Sequence, residues 1–300
     1  MVFTPSLSMT SLFRLLARVP LPWMHAVGGW LGWLVWWTAP DYRRRFRENA
    51  ERAGFAPAQY RPAIAAAGAM VAELPWLWMR PQGESLLPHI VRWDGIEAFE
   101  AALAARKGVI LVSPHIGSWE TFGQAVGERF FEAYGPITAL FRPARKKWMA
   151  ELMAGSRDRR GLQTLPTSVA GVRGLIRTLR AGGYTGILPD QVPPLGQGVW
   201  APFLGRPAYT MTLLLRLARQ TGARVFLGVC ERLPRGAGYV IRFEPFDGTA
   251  LSDPKATPEA GAAAMNEGIA ALIRRLPGQY VWDYARFKAP RGDIAERAEA

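Results

Sequence analysis

Short apolar runs alternate with helical stretches along most of this 300-residue chain. The runs cover residues 109–112, 137–141, 184–188, 224–230 and 239–243. Stretches typical of α-helices lie near residues 96–106, 118–133, 145–156, 168–181, 208–220 and 258–276. Such alternation favours parallel strands whose connections are helices packed on the sheet. The sequence therefore predicts an α/β fold with a mixed, largely parallel sheet flanked by helices.

A histidine and a glutamate stand five positions apart directly after the first apolar run, in the segment SPHIGSWE at 113–120. A straight helix turns about 100° per residue, so His115 and Glu120 could not share one helix face. Pro114 and Gly117 supply a bend, and Ser118 can cap a helix whose first turn holds Glu120. His115 is expected in the loop at the end of the strand, with Glu120 reaching back to it.

An imidazole has an unperturbed pKa near neutral pH, so His115 can remove a proton from a hydroxyl that attacks a carbonyl. Glu120 would then hold the imidazole in one tautomer. His115 and Glu120 are therefore candidate catalytic residues. The alternative is a loop histidine that bonds a nearby acid for structural reasons only, and the spacing by itself does not separate the two.

The net charge points to an anionic partner, since 37 basic residues oppose 24 acidic ones. An anionic lipid surface, an acidic carrier protein and nucleic acid all fit, although the basic residues form no stacking or groove-reading pattern for nucleic acid. A single cysteine, Cys230, excludes an internal disulfide. The Cys and His residues lack zinc-ligand spacing, so a metal hydrolase is not expected.

The N-terminal region contains an apolar segment, residues 23–39, with five tryptophans and no Asp, Glu, Lys or Arg. Four arginines follow it within residues 43–47. The segment is at the short limit for a membrane-spanning helix, and tryptophan suits the headgroup region. We expect residues 1–40 to form a membrane-anchoring segment whose apolar helix at 23–39 lies at the membrane interface, with a buried core helix as the alternative. Residues 41–290 would form the α/β domain, and 291–300 a flexible tail.

Further polar motifs follow the later apolar runs, and together with the His115 segment they resemble the lipid A biosynthesis late acyltransferases of the lysophospholipid acyltransferase superfamily. The resemblance covers most of the chain. It is carried by His115 to Glu120 and, in order, by Phe141-Arg142-Pro143, Pro189-Asp190-Gln191, the FLGRPA segment at 203–208, Gln279-Tyr280-Val281-Trp282 and Arg286-Phe287-Lys288.

The resemblance implies a glycerol-3-phosphate acyltransferase-like fold and transfer of a fatty acyl chain from acyl carrier protein or coenzyme A. The acceptor would be a hydroxyl of a lipid A precursor of the Kdo-lipid IVA type. The hydroxyl would attack the thioester directly, without an acyl-enzyme and without a metal or other cofactor. The expected partners are acyl carrier protein and the membrane lipid, at the cytoplasmic face of the inner membrane.

The resemblance also implies residue roles. His115 would deprotonate the acceptor hydroxyl with support from Glu120, and Arg142 and Arg157 would bind phosphate groups. Asp190 and Gln191 match a block whose carboxylate orders the site, although a capping or loop-closing role for Asp190 stays open.

Two departures from the family pattern leave the acceptor open. Residues 145–148 stand where the family often has asparagine, and 284–285 where it often has histidine. Another lysophospholipid or glycolipid acceptor remains an alternative, as does an inactive membrane-surface binding protein.

Overall fold

A mixed, seven-stranded sheet forms the centre of the fold in the computed structural model, which describes residues 5–81, 83–141, 153 and 159–290. The strand order is β1-β9-β8-β2-β5-β3-β4, and a separate hairpin pairs β6 with β7. The strands are β1 (Ile90–Asp94), β2 (Val109–Val112), β3 (Ile137–Phe141), β4 (Leu162–Pro166), β5 (Tyr184–Ile187), β6 (Gly198–Phe203), β7 (Arg206–Met211), β8 (Arg224–Arg232) and β9 (Tyr239–Pro245). In the seven-stranded sheet only β8 and β9 pair antiparallel, which confirms the predicted fold class.

Helices cover both faces of this sheet. They are α1 (Pro5–Leu16), α2 (Leu21–Thr38), α3 (Pro40–Arg52), α4 (Pro57–Tyr60), α5 (Pro62–Met79), α6 (Ile96–Ala104), α7 (Trp119–Tyr134), α8 (Val169–Arg180), α9 (Leu213–Thr221), α10 (Thr249–Ser252) and α11 (Pro258–Arg275). Alternate residues of β2 enter different cores: Ile110 and Val112 pack with α8 and α11, whereas Val109 and Leu111 pack with α6 and α7. Because both faces are buried, β2 is a continuous apolar run.

One predicted local feature was wrong. The helix expected over 208–220 begins only at Leu213, because residues 206–211 pair antiparallel with 198–203 in the hairpin. Tertiary packing thus outweighs the local preference there. Helix α5 runs through Pro75, which is itself buried. The helix predicted over 145–156 lies outside the described residues except at 153, and the predicted tail at 291–300 lies outside them entirely.

The predicted anchor segment is helix α2, and it packs lengthwise on α5. The approach is close enough that a Cβ on Gly68 would lie 1.9 Å from the Gly28 carbonyl oxygen, and one on Gly32 would lie 2.2 Å from that of Ile64. Glycines therefore permit this contact. The opposite face of α2 is uncovered: Trp23, Trp30 and Trp37 are 67%, 60% and 62% exposed. One face of α2 is therefore buried against α5, and the other face is exposed.

Among the described residues, one helical segment is long and apolar enough to cross a membrane by length and composition, and it spans Pro57–Met79. That segment is not the one the sequence singled out at residues 23–39. Nearly half of its most apolar stretch is buried inside the protein, where it packs against α2. A helix of a protein core has the same length and composition, so these properties alone do not give the segment a membrane-spanning role.

Candidate active site

The candidate site lies where two neighbouring strands end. β2 and β5 run parallel in register, with Val112 opposite Ile187, and the amide of Ser113 donates to the Ile187 carbonyl at 3.0 Å. The chain leaves β2 toward His115 and leaves β5 toward Asp190. Since parallel strands deliver their carboxyl ends to one edge, residues 75 positions apart meet there.

His115 and Asp190 are joined by two hydrogen bonds. The imidazole Nδ1 lies 2.7 Å from Asp190 Oδ1, and the His115 main-chain N–H donates to Oδ2 at 2.9 Å. Because the Asp190 carboxylate can only accept a hydrogen bond from Nδ1, a neutral imidazole carries its proton on Nδ1 and has its free lone pair on Nε2. The Gln191 amide nitrogen lies 3.1 Å from Nε2. This arrangement leaves Nε2 as the basic atom, in a side chain that is 17% exposed.

Asp190 is itself enclosed, at 2% exposure, by groups that favour its charge. Burial alone would raise the pKa of this carboxyl, but the charge of His115, the two hydrogen bonds from His115 and the charge of Arg286 lower it. Burial, and then the charge of Asp190, raise the pKa of the Tyr280 hydroxyl well above its ordinary value. Arg286 is held in turn by the Tyr209 carbonyl and Thr210 Oγ1, both at 2.7 Å. Asp190 therefore stays ionised beside His115.

The same contacts tune His115. Burial acts to lower the pKa of the imidazole, but the charge of Asp190, its hydrogen bond and the charge of Glu120 outweigh burial, so the pKa lies above its ordinary value. Trp119 packs edge-on against the ring with centroids 4.9 Å apart. A raised pKa makes the imidazole a stronger base when it is neutral.

The orienting acid differs from the one the sequence predicted. Glu120 does lie in the first turn of α7 and is 7% exposed, and its charge raises the pKa of His115. The hydrogen bond from Nδ1, however, is accepted by Asp190. The reason is topological, because sheet order brings the end of β5 beside β2, and no spacing within 115–120 reveals that. Asp190 pairs with His115 rather than capping a helix, and a catalytic role for Glu120 remains a prediction.

The loop that carries His115 is held by main-chain contacts on both sides. The amides of Gly117 and Ser118 donate to the carbonyls of Gln279 and Cys230, and that of Val281 donates to the His115 carbonyl at 3.2 Å. Gly117 has φ of 61°, and a Cβ there would lie 2.1 Å from the Cys230 carbonyl oxygen. No other residue fits that position. The motif at 279–282 thus braces the loop.

Of the other predicted binding residues, the structure describes Gln191 but not Arg142 or Arg157. Gln191 is exposed beside His115 Nε2, as described above. Arg142 and Arg157 lie outside the described residues. The FLGRPA segment forms the turn of the β6–β7 hairpin, and the Arg206 guanidinium stacks 3.9 Å from the centroid of Phe287. Arg286 and Tyr280 belong to quoted motifs, but no pattern in the sequence indicated that they interact electrostatically with Asp190, the partner of His115.

Known proteins similar to this chain share one chemistry. The chain matches the family model for bacterial lipid A biosynthesis acyltransferases over residues 6–289. It is 29% identical over 230 residues to a lipid A biosynthesis lauroyltransferase of Escherichia coli (strain K12), covering 75% of this chain and 70% of the relative. A lipid A biosynthesis palmitoleoyltransferase of the same organism is 25% identical over 226 residues, covering 74% and 68%.

A relative with a different name is also similar. A phosphatidylinositol mannoside acyltransferase of Mycobacterium tuberculosis (strain CDC 1551 / Oshkosh) is 27% identical over 181 residues. The alignment covers 59% of this chain and 55% of that relative. The three relatives are all named as acyltransferases, and their names differ in the acyl group or the acceptor.

Proposed function

This chain belongs to the family of bacterial lipid A biosynthesis acyltransferases, and we propose that it moves a fatty acyl chain from acyl carrier protein to a hydroxyl of a lipid A precursor, with His115 as the general base. The observation that carries the proposal is the His115–Asp190 pair at the carboxyl ends of β2 and β5. It fixes the tautomer that leaves Nε2 free to accept a proton.

In the proposed reaction, the acceptor hydroxyl displaces the Gln191 amide from Nε2 and gives its proton to that atom as its oxygen attacks the thioester carbonyl. A carbon–oxygen bond forms, and the carbon–sulfur bond breaks when the tetrahedral intermediate collapses. The proton on Nε2 then passes to the departing thiolate, so His115 ends neutral. Asp190 stays ionised throughout and stabilises the imidazolium. No covalent acyl-enzyme is needed.

The donor and the acceptor headgroup account for the charge of the chain under this proposal. Acyl carrier protein is acidic, so the net charge of +13 would speed its encounter with the enzyme. Guanidinium groups offer forked donors to phosphate oxygens, and we assign Arg142 and Arg157 to the phosphates of the acceptor. The assignment of Arg142 rests on the motif at 141–143, and that of Arg157 on its place in the stretch 142–160, which has seven basic residues against two acidic ones.

If Arg142 binds an acceptor phosphate, Arg142→Ala should raise the Michaelis constant for the lipid about tenfold or more while changing kcat little, because a charged hydrogen bond contributes about 1.5–3 kcal/mol. Steady-state kinetics with varied lipid measures this effect. Lys107→Ala is the matched control, since it removes a positive charge next to Gly108, at the opposite end of β2 from His115. An unchanged Michaelis constant in Arg142→Ala would contradict the assignment.

We further propose that the protein lies on the cytoplasmic face of the inner membrane through the outer face of α2. Trp23, Trp30 and Trp37 share that face, and α3 follows directly with exposed arginines at 44, 45 and 47. Tryptophans at headgroup level and arginines near anionic lipid are the usual components of an interfacial contact. This placement would bring the site to a lipid acceptor.

Replacing Trp23, Trp30 and Trp37 together with serine should lower partitioning onto vesicles of phosphatidylethanolamine and phosphatidylglycerol about tenfold or more, since burying one large apolar side chain contributes about 1.5–3 kcal/mol. Vesicle flotation measures the bound fraction. Trp200→Ser is the control, because Trp200 is 43% exposed but lies on the β6–β7 hairpin. Equal binding by the triple variant and the wild type would exclude this face as the contact.

Mass spectrometry of lipid A from cells with and without the gene tests the proposed activity. Presence of the gene should add the mass of one acyl chain to lipid A, which also gives the chain length. The name of the mycobacterial relative motivates a second candidate, an acyltransferase that acts on another glycolipid. In that case lipid A would be unchanged and a different lipid would gain the acyl mass. If no lipid gains an acyl chain in the presence of the gene, the result would support an inactive binding protein.

A further inference from the structure

Four side chains from four parts of the fold converge on one buried carboxylate outside the His115–Asp190 pair. Glu73, on α5, is 1% exposed. Its oxygens accept from Arg232 Nε at 2.9 Å and Nη2 at 2.5 Å, from Ser118 Oγ at 2.6 Å, and from the Tyr239 hydroxyl at 3.0 Å. His25 Nε2, on α2, lies 3.0 Å from Oε2. We call these five residues the Glu73 cluster.

The Glu73 cluster keeps its carboxylate charged. Burial alone would raise the pKa of Glu73, but the charge of Arg232 and the hydrogen bonds from His25, Arg232 and Ser118 lower it to about 2. Arg232 is equally enclosed at 7% exposure. A buried ion pair with this many bonds has one favourable geometry, so it constrains every element that contributes to it.

One of those elements is the loop that carries His115. Ser118 occupies the N-cap position of α7 as the sequence predicted, but its side chain makes no capping hydrogen bond. The hydroxyl turns inward to Glu73 instead and also lies 2.7 Å from Thr121 Oγ1. Arg232 Nη2 reaches the Gly117 carbonyl at 3.4 Å. Gly117 and Ser118, two and three positions after His115, are therefore both hydrogen-bonded to the Glu73 cluster.

Arg232 also connects the cluster to the second support of that loop. Its main-chain N–H donates to Gln279 Oε1 at 2.9 Å, and Gln279 Nε2 donates back to its carbonyl at 2.8 Å. The Gln279 carbonyl accepts from the Gly117 amide at 3.0 Å. Displacing Arg232 would thus disturb the loop from two sides.

We propose that Glu73 is a positioning residue for His115, which it holds in place through Ser118 and Arg232, while His25 ties the same carboxylate to α2. This inference rests on the proposed function of His115. A carboxylate is required because it has only acceptor atoms: a glutamine would present an NH₂ group to one of the three donors from Arg232 and Ser118. The loop would then shift, and a displacement of about 1 Å at a reacting atom can cost about 10²-fold in rate.

The test compares Glu73→Gln and Ser118→Ala with Arg219→Gln as control. Arg219 is half-buried and donates to the carbonyls of Leu251 and Ala256, away from the site. With enzyme shown to be folded by its thermal transition, Glu73→Gln should lower kcat about 10- to 100-fold, and Ser118→Ala about 3- to 10-fold. The Michaelis constants for donor and acceptor should stay within about twofold in both variants, and kcat of Arg219→Gln should stay near the wild-type value.

The double variant Glu73→Gln/Ser118→Ala sharpens the kinetic test. If Ser118 acts through Glu73, the combined loss in kcat should be smaller than the product of the two single losses. Normal kcat in folded Glu73→Gln and Ser118→Ala enzyme would overturn the proposal, and so would a fall in kcat matched by Arg219→Gln.

A second readout does not depend on the substrate. The chain has three histidines, so ¹⁵N-histidine labelling gives three imidazole spin systems, which the variants His25→Asn, His89→Asn and His115→Asn assign. Glu73→Gln and Ser118→Ala should shift the His115 ring resonances, whereas Arg219→Gln should not. If the wild type fails to acylate a lipid A precursor, the proposed function fails and the spectra still decide this inference. Unmoved His115 resonances in both variants would overturn it.

Discussion

His115→Ala should lower kcat for acyl transfer about 10²- to 10⁴-fold, the range that a positioned general base contributes. The protein should stay folded, because His115 lies in a loop whose main-chain bonds to Cys230 and Gln279 do not involve the imidazole. Single-turnover acylation measures the loss, and a thermal transition near that of the wild type reports the fold.

His89→Ala is the control for this experiment. His89 packs edge-on against Trp76, with ring centroids 5.0 Å apart, before strand β1. Removing it deletes a half-buried imidazole without touching the His115–Asp190 pair, so kcat should stay near the wild-type value. A His115→Ala enzyme with more than about a tenth of the normal rate would mean that another group takes the proton.

Asp190→Asn should be nearly as damaging, with kcat lower by about 10²- to 10⁴-fold. His115 presents two donors to Asp190, its main-chain N–H and Nδ1–H, and each needs an acceptor oxygen. An asparagine has one such oxygen. When its amide nitrogen faces the ring, Nδ1 must accept and the proton moves to Nε2, so the basic atom is lost.

The pH profile separates this effect from a general loss of structure. The neutral imidazole is the active form, so wild-type kcat/KM should rise with pH along a limb centred above the ordinary histidine pKa of 6.5, because Asp190 raises the pKa of His115. Asp190→Asn removes that charge, and the limb of its residual activity should move to lower pH. A limb that stays in place in the variant would show that Asp190 does not set the pKa of the catalytic group.

The central strand was the most predictable because it is buried on both sides. β2 coincides with the apolar run at 109–112, since a strand with two buried faces is continuously apolar. β3, which is only partly buried, still coincides with the run at 137–141. Strand β4, which reads Leu-Gln-Thr-Leu-Pro, lies at the edge of the sheet and is only partly buried. No strand was predicted over the residues of β4, because a half-exposed edge strand has no such signal.

The His115–Asp190 pair was only half predictable for a related reason. His115 follows a recognisable strand and turn, but its partner comes from a strand that is distant in sequence and adjacent in the sheet. Local spacing pointed to Glu120, which does lie near enough for its charge to raise the pKa of His115. Ser118 likewise fits a capping pattern, and only the packing of α5 against the loop reveals its bond to Glu73.

The central claim is that this chain transfers an acyl group directly to a lipid A precursor, and mass spectrometry of a purified reaction tests it most directly. Enzyme, acyl carrier protein loaded with one defined fatty acid, and a Kdo-lipid IVA acceptor are mixed, and lipid, carrier and enzyme masses are recorded together. The account predicts a lipid heavier by one acyl chain, a carrier with a free thiol, and an enzyme of unchanged mass. An unmodified lipid, or an acyl group retained on the enzyme as an intermediate, would contradict it.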